Sequence, residues 1–330
     1  MSSRTGLLFL GAPAVPEMVS LARRAEAAGF ESAWVAETRL TRDAITPAAA
    51  IALGTERLRV GTGIVNVYTR NPVLLALTFA TLDELAPGRI VMGLGAGSPL
   101  VLAPQGVRFS RPLTRLREYC EVIPHLLAGE SVTYRGECIE LNEARIEDVL
   151  AGEGGVRPRA EIPLYLAATG PRAVDYAATV ADGILLNVCL PTTYVRERAK
   201  RLAEAGRRAQ RATSAIEVAM CIVVSPHEDA GAGRDAARRF IALYLSMFPN
   251  VARETGLEPG FLERLREAFA AGGVDAAAPC VDDEVVNLLS AAGSVEDCRR
   301  ALDEYREAGV ALPILAPVEG ALELTVDCLA

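Results

Sequence analysis

Histidine is nearly absent from this chain of 330 residues, which has only His125 and His227. Neither lies in an H-x-x-x-H pattern or beside an acidic cluster, and metal-dependent hydrolysis normally needs several His and Asp/Glu ligands, so no metal is expected. A G-x-S-x-G elbow is missing, and no cysteine has an evident histidine partner, which excludes the usual nucleophilic hydrolases. The seven cysteines, at 120, 138, 189, 221, 280, 298 and 328, are odd in number and form no C-x-x-C pair. They suggest neither a disulfide framework nor a zinc site, and read as core or surface residues in a reducing cytoplasm. Aromatic residues make up only 5%. The short apolar run near the N-terminus falls far below the length that spans a membrane. A basic face is also lacking: the net charge is −8 with signs well mixed, so no nucleic-acid partner is expected. The longest basic stretch, residues 195–211, interleaves Glu197 and Glu204 and reads as an amphipathic helix with a solvated face.

What the chain does have is alternation. Short apolar runs at 7–10, 33–35, 59–63, 90–94, 164–167, 183–186, 218–224 and 312–316 are separated by helical segments, the pattern of a parallel α/β protein. Eight is the number that closes a (β/α)₈ TIM barrel. The segment VPEMVSLARRAEAAGF has helical spacing and stops at Gly29, while NPVLLALTFATLDELAPGR opens with a capping Asn71 and a first-turn Pro72. Pro124 predicts a kink or break in the helix near 112–130. Connections 95–163 and 225–311 are too long for simple loops and are expected as insertions that wall the active face, the second mostly helical. Residues 1–330 read as one domain.

Catalytic groups in a barrel lie where strands end. RVGTGIVNVYTRNP, residues 59–72, leaves the third strand through two glycines and Asn66. A bland reading is a glycine-softened bulge. GLGAGSP, residues 93–99, does not fit G-x-G-x-x-G, and no helix is expected directly after it, but its glycines allow close approach of a planar ligand. AATGPR, residues 167–172, places Thr169 and Gly170 before Pro171 at a helix start, where free amides suit a phosphate; Thr169 as an ordinary cap is the alternative. Glu37, after the second strand, is a carboxylate at the catalytic end, or else half of a surface pair with Arg39 or Arg42.

Six ordered motifs, AEAAGFESAWVAET, GTERLRVGTGIVNVYTRNP, ATLDELAPGRIVMGLGAGSP, RPLTRLREYCEVIPHLLAGESVTYRGE, IPLYLAATGPRAVDYAATVADGILLN and YREAGVALPILAP, resemble the luciferase-like monooxygenase superfamily. The likeness is nearest to its branch dependent on the deazaflavin coenzyme F420, methylenetetrahydromethanopterin reductase-like. The resemblance implies a luciferase-like TIM barrel, a homodimer, and hydride transfer between coenzyme F420 and a small organic substrate. It also implies a non-prolyl cis peptide after strand three, matching Gly63–Ile64, that backs the ring together with Val65 and Asn66. By the same carry-over Ala96, Gly97 and Ser98 border the ring, and Ala168, Thr169, Gly170 and Pro171 meet the phosphate-bearing tail. Asn187 faces the pocket, and Glu37 and Thr38 lie near the reacting edge as the catalytic candidates. Where methanopterin reductases carry an acid in strand one, Asp-His after strand two and Asp-Lys after the glycine loop, this chain has Leu8, Glu37-Thr38 and Ser98-Pro99. The departures fall on the substrate side and leave the cofactor cradle intact. An FMN-dependent monooxygenase and a non-catalytic flavin- or deazaflavin-binding protein are the alternative readings.

Overall fold

In the computed structural model, which describes residues 4–37, 40–146, 161–212 and 215–330, the eight apolar runs become the staves of a closed barrel. In chain order the elements begin β1 (Gly6–Phe9), α1 (Val15–Ala28), β2 (Ser32–Val35), α2 (Ile45–Gly54), β3 (Arg59–Thr62), β4 (Val65–Asn66), α3 (Pro72–Leu85) and β5 (Ile90–Gly95). The first insertion follows with α4 (Pro99–Leu102), α5 (Pro112–Leu127) and the antiparallel hairpin β6 (Val132–Arg135) and β7 (Glu140–Ala144). The chain returns to the barrel through β8 (Leu164–Ala167), α6 (Pro171–Val180), β9 (Gly183–Leu186), α7 (Thr192–Arg208) and β10 (Glu217–Pro226). A second insertion holds α8 (Ala230–Met247), α9 (Pro249–Ala252), α10 (Pro259–Ala277), α11 (Asp283–Leu289) and the short β11 (Ala291–Gly293). It is followed by α12 (Val295–Glu307), β12 (Leu312–Pro317) and α13 (Leu322–Cys328). Strands β1, β2, β3, β5, β8, β9, β10 and β12 pair in parallel in that order, and β12 closes on β1.

Local signals act as their chemistry dictates. Gly29 ends α1 in the left-handed region, and Asn71 caps α3 by accepting from the Leu74 amide. Pro124 does not break α5, because it stands in the last turn, where the missing N–H removes one bond from a helix that ends three residues later. The breaker-rich middle of the second insertion does interrupt its helix, at Gly272–Gly273.

The barrel is filled by few but large side chains. Trp34 and Tyr165 meet with ring centroids 5.5 Å apart, and a Cβ on Gly61 would lie 2.5 Å from the Trp34 ring. Below them Arg4 pairs with Glu31 and Glu217, and the Tyr165 hydroxyl donates to Glu217, so an ionic floor closes the N-terminal end.

Between β3 and β5 the register slips. Gly61 pairs with Val91, but Val65, four steps on, pairs with Leu94, three steps on. One extra residue on one strand is a β-bulge. Thr62 bridges it: its hydroxyl donates to the Gly93 carbonyl at 2.8 Å and accepts from the Gly93 amide at 3.0 Å. A Cβ at Gly93 would overlap the Thr62 carbonyl oxygen, whereas one at Gly170 would meet nothing within 4 Å. Gly93→Ala is therefore expected to cost about 3 kcal/mol or more in urea unfolding, since backbone must move. Gly170→Ala should cost less than about 1 kcal/mol, the small penalty of an alanine cap.

Candidate functional site

The bulge opens directly into the barrel mouth. The bond Gly63–Ile64 is cis. Ile64 is half-buried; its Cγ1 and Cδ1 lie 2.9 Å from where a Gly95 Cβ would stand, with the Ala167 methyl beside them at 3.0 Å. Ile64, Gly95 and Ala167 thus form one apolar surface across three strands. Two predicted residues contribute otherwise: Val65 is fully buried in the β4–β5 pairing, and the Ala168 side chain is buried, so each presents backbone alone. Ala167, half-buried, carries the methyl of this wall, its side chain on the other face of the strand from that of Ala168, as strand alternation requires.

Asn66 organises the next turn. Its Oδ1 accepts from the amides of Tyr68 and Thr69, each at 3.0 Å, and its Nδ2 donates to Glu37 Oε2 at 2.8 Å. The other Glu37 oxygen receives Arg70 Nη1 at 2.6 Å. The pair is largely removed from water, with side-chain exposures of 12% for Glu37 and 18% for Arg70. Arg42 instead donates to the Pro13 carbonyl, so Glu37 is no surface partner of Arg42. The signal for Arg70 was its place just ahead of the Asn-Pro helix start. Thr38 and Arg39 lie outside the described residues.

Gly97 has φ +69°, and a Cβ there would come within 3.0 Å of the Asn66 Cβ, so the glycine loop is pressed onto the bulged strand. A helix does follow at once: Ser98 caps α4 by accepting from the Leu100 amide at 3.3 Å. Ala96, just before Gly97, is half-buried.

Past the end of β8, the strand next to β5, Gly170, with extended φ and ψ, is the N-cap of α6, and the Thr169 side chain does not cap it. The Gly170 carbonyl accepts from the amides of Ala173 and Val174. The amides of Gly170 and Arg172 find no acceptor among the described residues. The Thr169 carbonyl is held from behind by Tyr194 and Arg198 of α7. Arg198 corrects the expectation of a purely solvated face for that helix, since it is buried inside it.

Asn187, at the end of β9, accepts at Oδ1 from the Val188 amide and from the hydroxyl of Tyr244 in α8, both at 2.8 Å. Burial holds the Tyr244 hydroxyl above its ordinary pKa, keeping it a donor. With Oδ1 filled, the Asn187 side chain offers its N–H₂ group, which has no other partner among the described residues. Tyr244 stacks on Phe240 and meets Phe248 at a tilt, with centroids 5.6 and 4.5 Å away. None of these three aromatics was evident from the sequence, because the second insertion gave no periodic link to the barrel.

Glu37→Gln leaves the Arg70 charge in its shielded position without a counter-charge and should lower stability by about 1–3 kcal/mol. A double-mutant cycle with Arg70→Met should show coupling above about 0.5 kcal/mol, and additive losses would mean that the pair does not hold the turn.

The luciferase-like monooxygenase profile matches residues 3–312. A 5,10-methylenetetrahydromethanopterin reductase of Methanolobus tindarius is 29% identical over 92% of this chain and 91% of its own. A putative coenzyme F420-dependent oxidoreductase of Mycobacterium tuberculosis is 30% identical, with 93% of this chain and 92% of that protein aligned. Among solved structures, the F420-dependent tetrahydromethanopterin reductase of Methanopyrus kandleri superposes with a TM-score of 0.86 at 25% identity, covering 99% and 98% of the two chains. With barrel, bulge and strand-end turns arranged in this way and the profile spanning nearly its whole length, the chain belongs to the luciferase-like monooxygenase family.

Proposed function

We propose that this protein is an oxidoreductase that uses coenzyme F420 to move a hydride to or from a small organic substrate. The observation that carries the reading is the pairing, in one barrel mouth, of an apolar wall with an open helix start. The wall is Ile64 against Gly95 and Ala167; the helix start is Gly170, with free amides and open space before it. A planar ring requires the first, and a phosphodiester requires the second. The similar Mycobacterium tuberculosis protein and the Methanopyrus kandleri structure, both described as F420-dependent, support the same choice.

The residues present fit the coenzyme in kind. Ile64, Gly95, Ala96 and Gly97 would lie against the ring, with Asn187 as a side-chain donor, and Gly170, Pro171 and Arg172 would receive the phosphate. When bound, the deazaflavin supplies hydride chemistry. The protein's part is to orient the reactants and keep water out. Both oxygens of Glu37 are already hydrogen-bonded, so it serves as a fixed charge and as the anchor of the 66–70 turn rather than as a freely moving proton carrier. Substrate contacts would come from the insertions, where α8 already reaches the mouth through Tyr244.

In side-by-side titrations with F420, FMN and NADPH, F420 should bind most tightly, and FMN binding without F420 binding would reassign the cofactor. Gly170→Asp sets a carboxylate at the helix start and should weaken F420 binding by at least about tenfold, because like charge replaces the attraction of the helix end. Unchanged affinity in the folded variant would place the phosphate elsewhere.

A further inference from the structure

Arg198, in the second turn of α7, has only 4% of its side chain exposed. Its Nε donates to the Thr169 carbonyl at 3.1 Å, Nη1 to Glu197 at 2.7 Å and Nη2 to Glu254 at 2.6 Å. The guanidinium also stacks over the Tyr194 ring, 4.5 Å from its centroid, and the Tyr194 hydroxyl donates to the same Thr169 oxygen at 2.6 Å. Burying a charged group is costly unless it is fully partnered. Docking of α7 on α6 does not require this charge, since Arg201 already ties the two helices through Asp175 and the Pro171 carbonyl. Arg198 therefore holds something more specific than a helix pair.

We propose that Arg198 is a positioning residue for an anionic phosphate, acting through the peptide unit that joins Thr169 to Gly170. This inference rests on the cofactor reading above. The 169–170 bond is trans, so its carbonyl and its amide point in opposite directions. Two donors pin the carbonyl toward α7. The Gly170 N–H consequently faces away from α7 and has no acceptor among the described residues; separately, a Cβ on Gly170 would meet open space. Donation into the carbonyl also polarises the peptide and strengthens its N–H as a donor. Glu197 and Glu254 both pair with the guanidinium, so what reaches the ligand is direction and polarity rather than bare positive charge. Burial pushes the Tyr194 hydroxyl up to about 12, which keeps it a donor throughout the physiological range.

The test compares two ligands that share a ring: F420 and its riboflavin-like deazaflavin core, which lacks the phosphate and the tail. Both are titrated into the parent protein, Tyr194→Phe and Arg198→Gln. Each variant should lose about tenfold or more in F420 affinity, roughly the worth of one charge-assisted or buried hydrogen bond. Affinity for the core should change by less than about threefold, and Arg198→Lys should recover part of the loss, since an ammonium restores a charged donor. Tyr194→Phe removes a single oxygen and keeps the result interpretable should Arg198→Gln fold poorly. Equal losses for both ligands, or none for either, overturn the inference while leaving the cofactor reading in place. A parent protein that binds neither ligand fails the cofactor reading and the inference with it.

Discussion

One misfit in the sheet governs the upper half of this barrel: four steps along β3 and β4 face three along β5, and Thr62 takes up the difference. A bulge leaves ladder groups unpaired, and the Thr62 hydroxyl satisfies both groups of Gly93 that the slipped register would otherwise strand. The substitute works only if the two backbones come close enough to exclude a Cβ at residue 93. Past the bulge, Ile64 lies over Gly95 and Ala167, and Asn66 returns to the ladder opposite Gly95 with its side chain toward Glu37. A single register shift thereby sets both the apolar wall and the polar rim.

The turns that make up the rim are held in place by tyrosines. The chain has eight, and every one of their hydroxyls donates. Tyr119 of α5 holds the Arg70 carbonyl, Tyr194 of α7 the Thr169 carbonyl, and Tyr305 of α12 the Leu190 carbonyl. A tyrosine spends an apolar ring on packing against a helix and keeps one polar end for a backbone group that would otherwise be unpaired. In a protein so poor in aromatics, this division of labour lets loops at the mouth keep fixed conformations without help from long apolar contacts of their own.

How much of this is legible in the sequence depends on the range of the interaction. Strand alternation, the Gly29 stop, the Asn71 cap and the Gly170-Pro171 helix start are local, and the structure has them where the residues indicate. Longer-range pairings are different. Nothing near Arg198 distinguishes it from the arginines that line the solvated side of α7; its burial follows from how α7 lies on the turn at Thr169. The Glu37–Arg70 pair joins residues 33 apart in sequence, and the nearer cations Arg39 and Arg42 were the more obvious partners. Pro124 misleads for a further reason, because a proline's cost depends on how much helix remains beyond it. The bulge is an intermediate case: its glycines are visible, but the extra residue is a property of two strands compared, which one strand alone cannot show.

The two long connections also differ from simple additions to the barrel. Each contains the helix that its repeat needs, α5 in the first and α12 in the second, together with extra elements of its own. In the second, α8 reaches Asn187 through the Tyr244 hydroxyl, and Tyr244 in turn stacks on Phe240 and packs at a tilt against Phe248. Together with the Val188 amide, that bond holds the Asn187 oxygen away from the mouth. On the proposed reading, a residue of the cofactor face is therefore oriented by an element of the substrate wall. Changes on α8 that preserve Tyr244 can reshape the wall while keeping this orientation, whereas loss of the hydroxyl would leave the Val188 amide as the one remaining donor to the Asn187 oxygen among the described residues. On that reading the barrel supplies a cradle set by backbone geometry, and the insertions can diverge for substrate around the side chains through which they complete it.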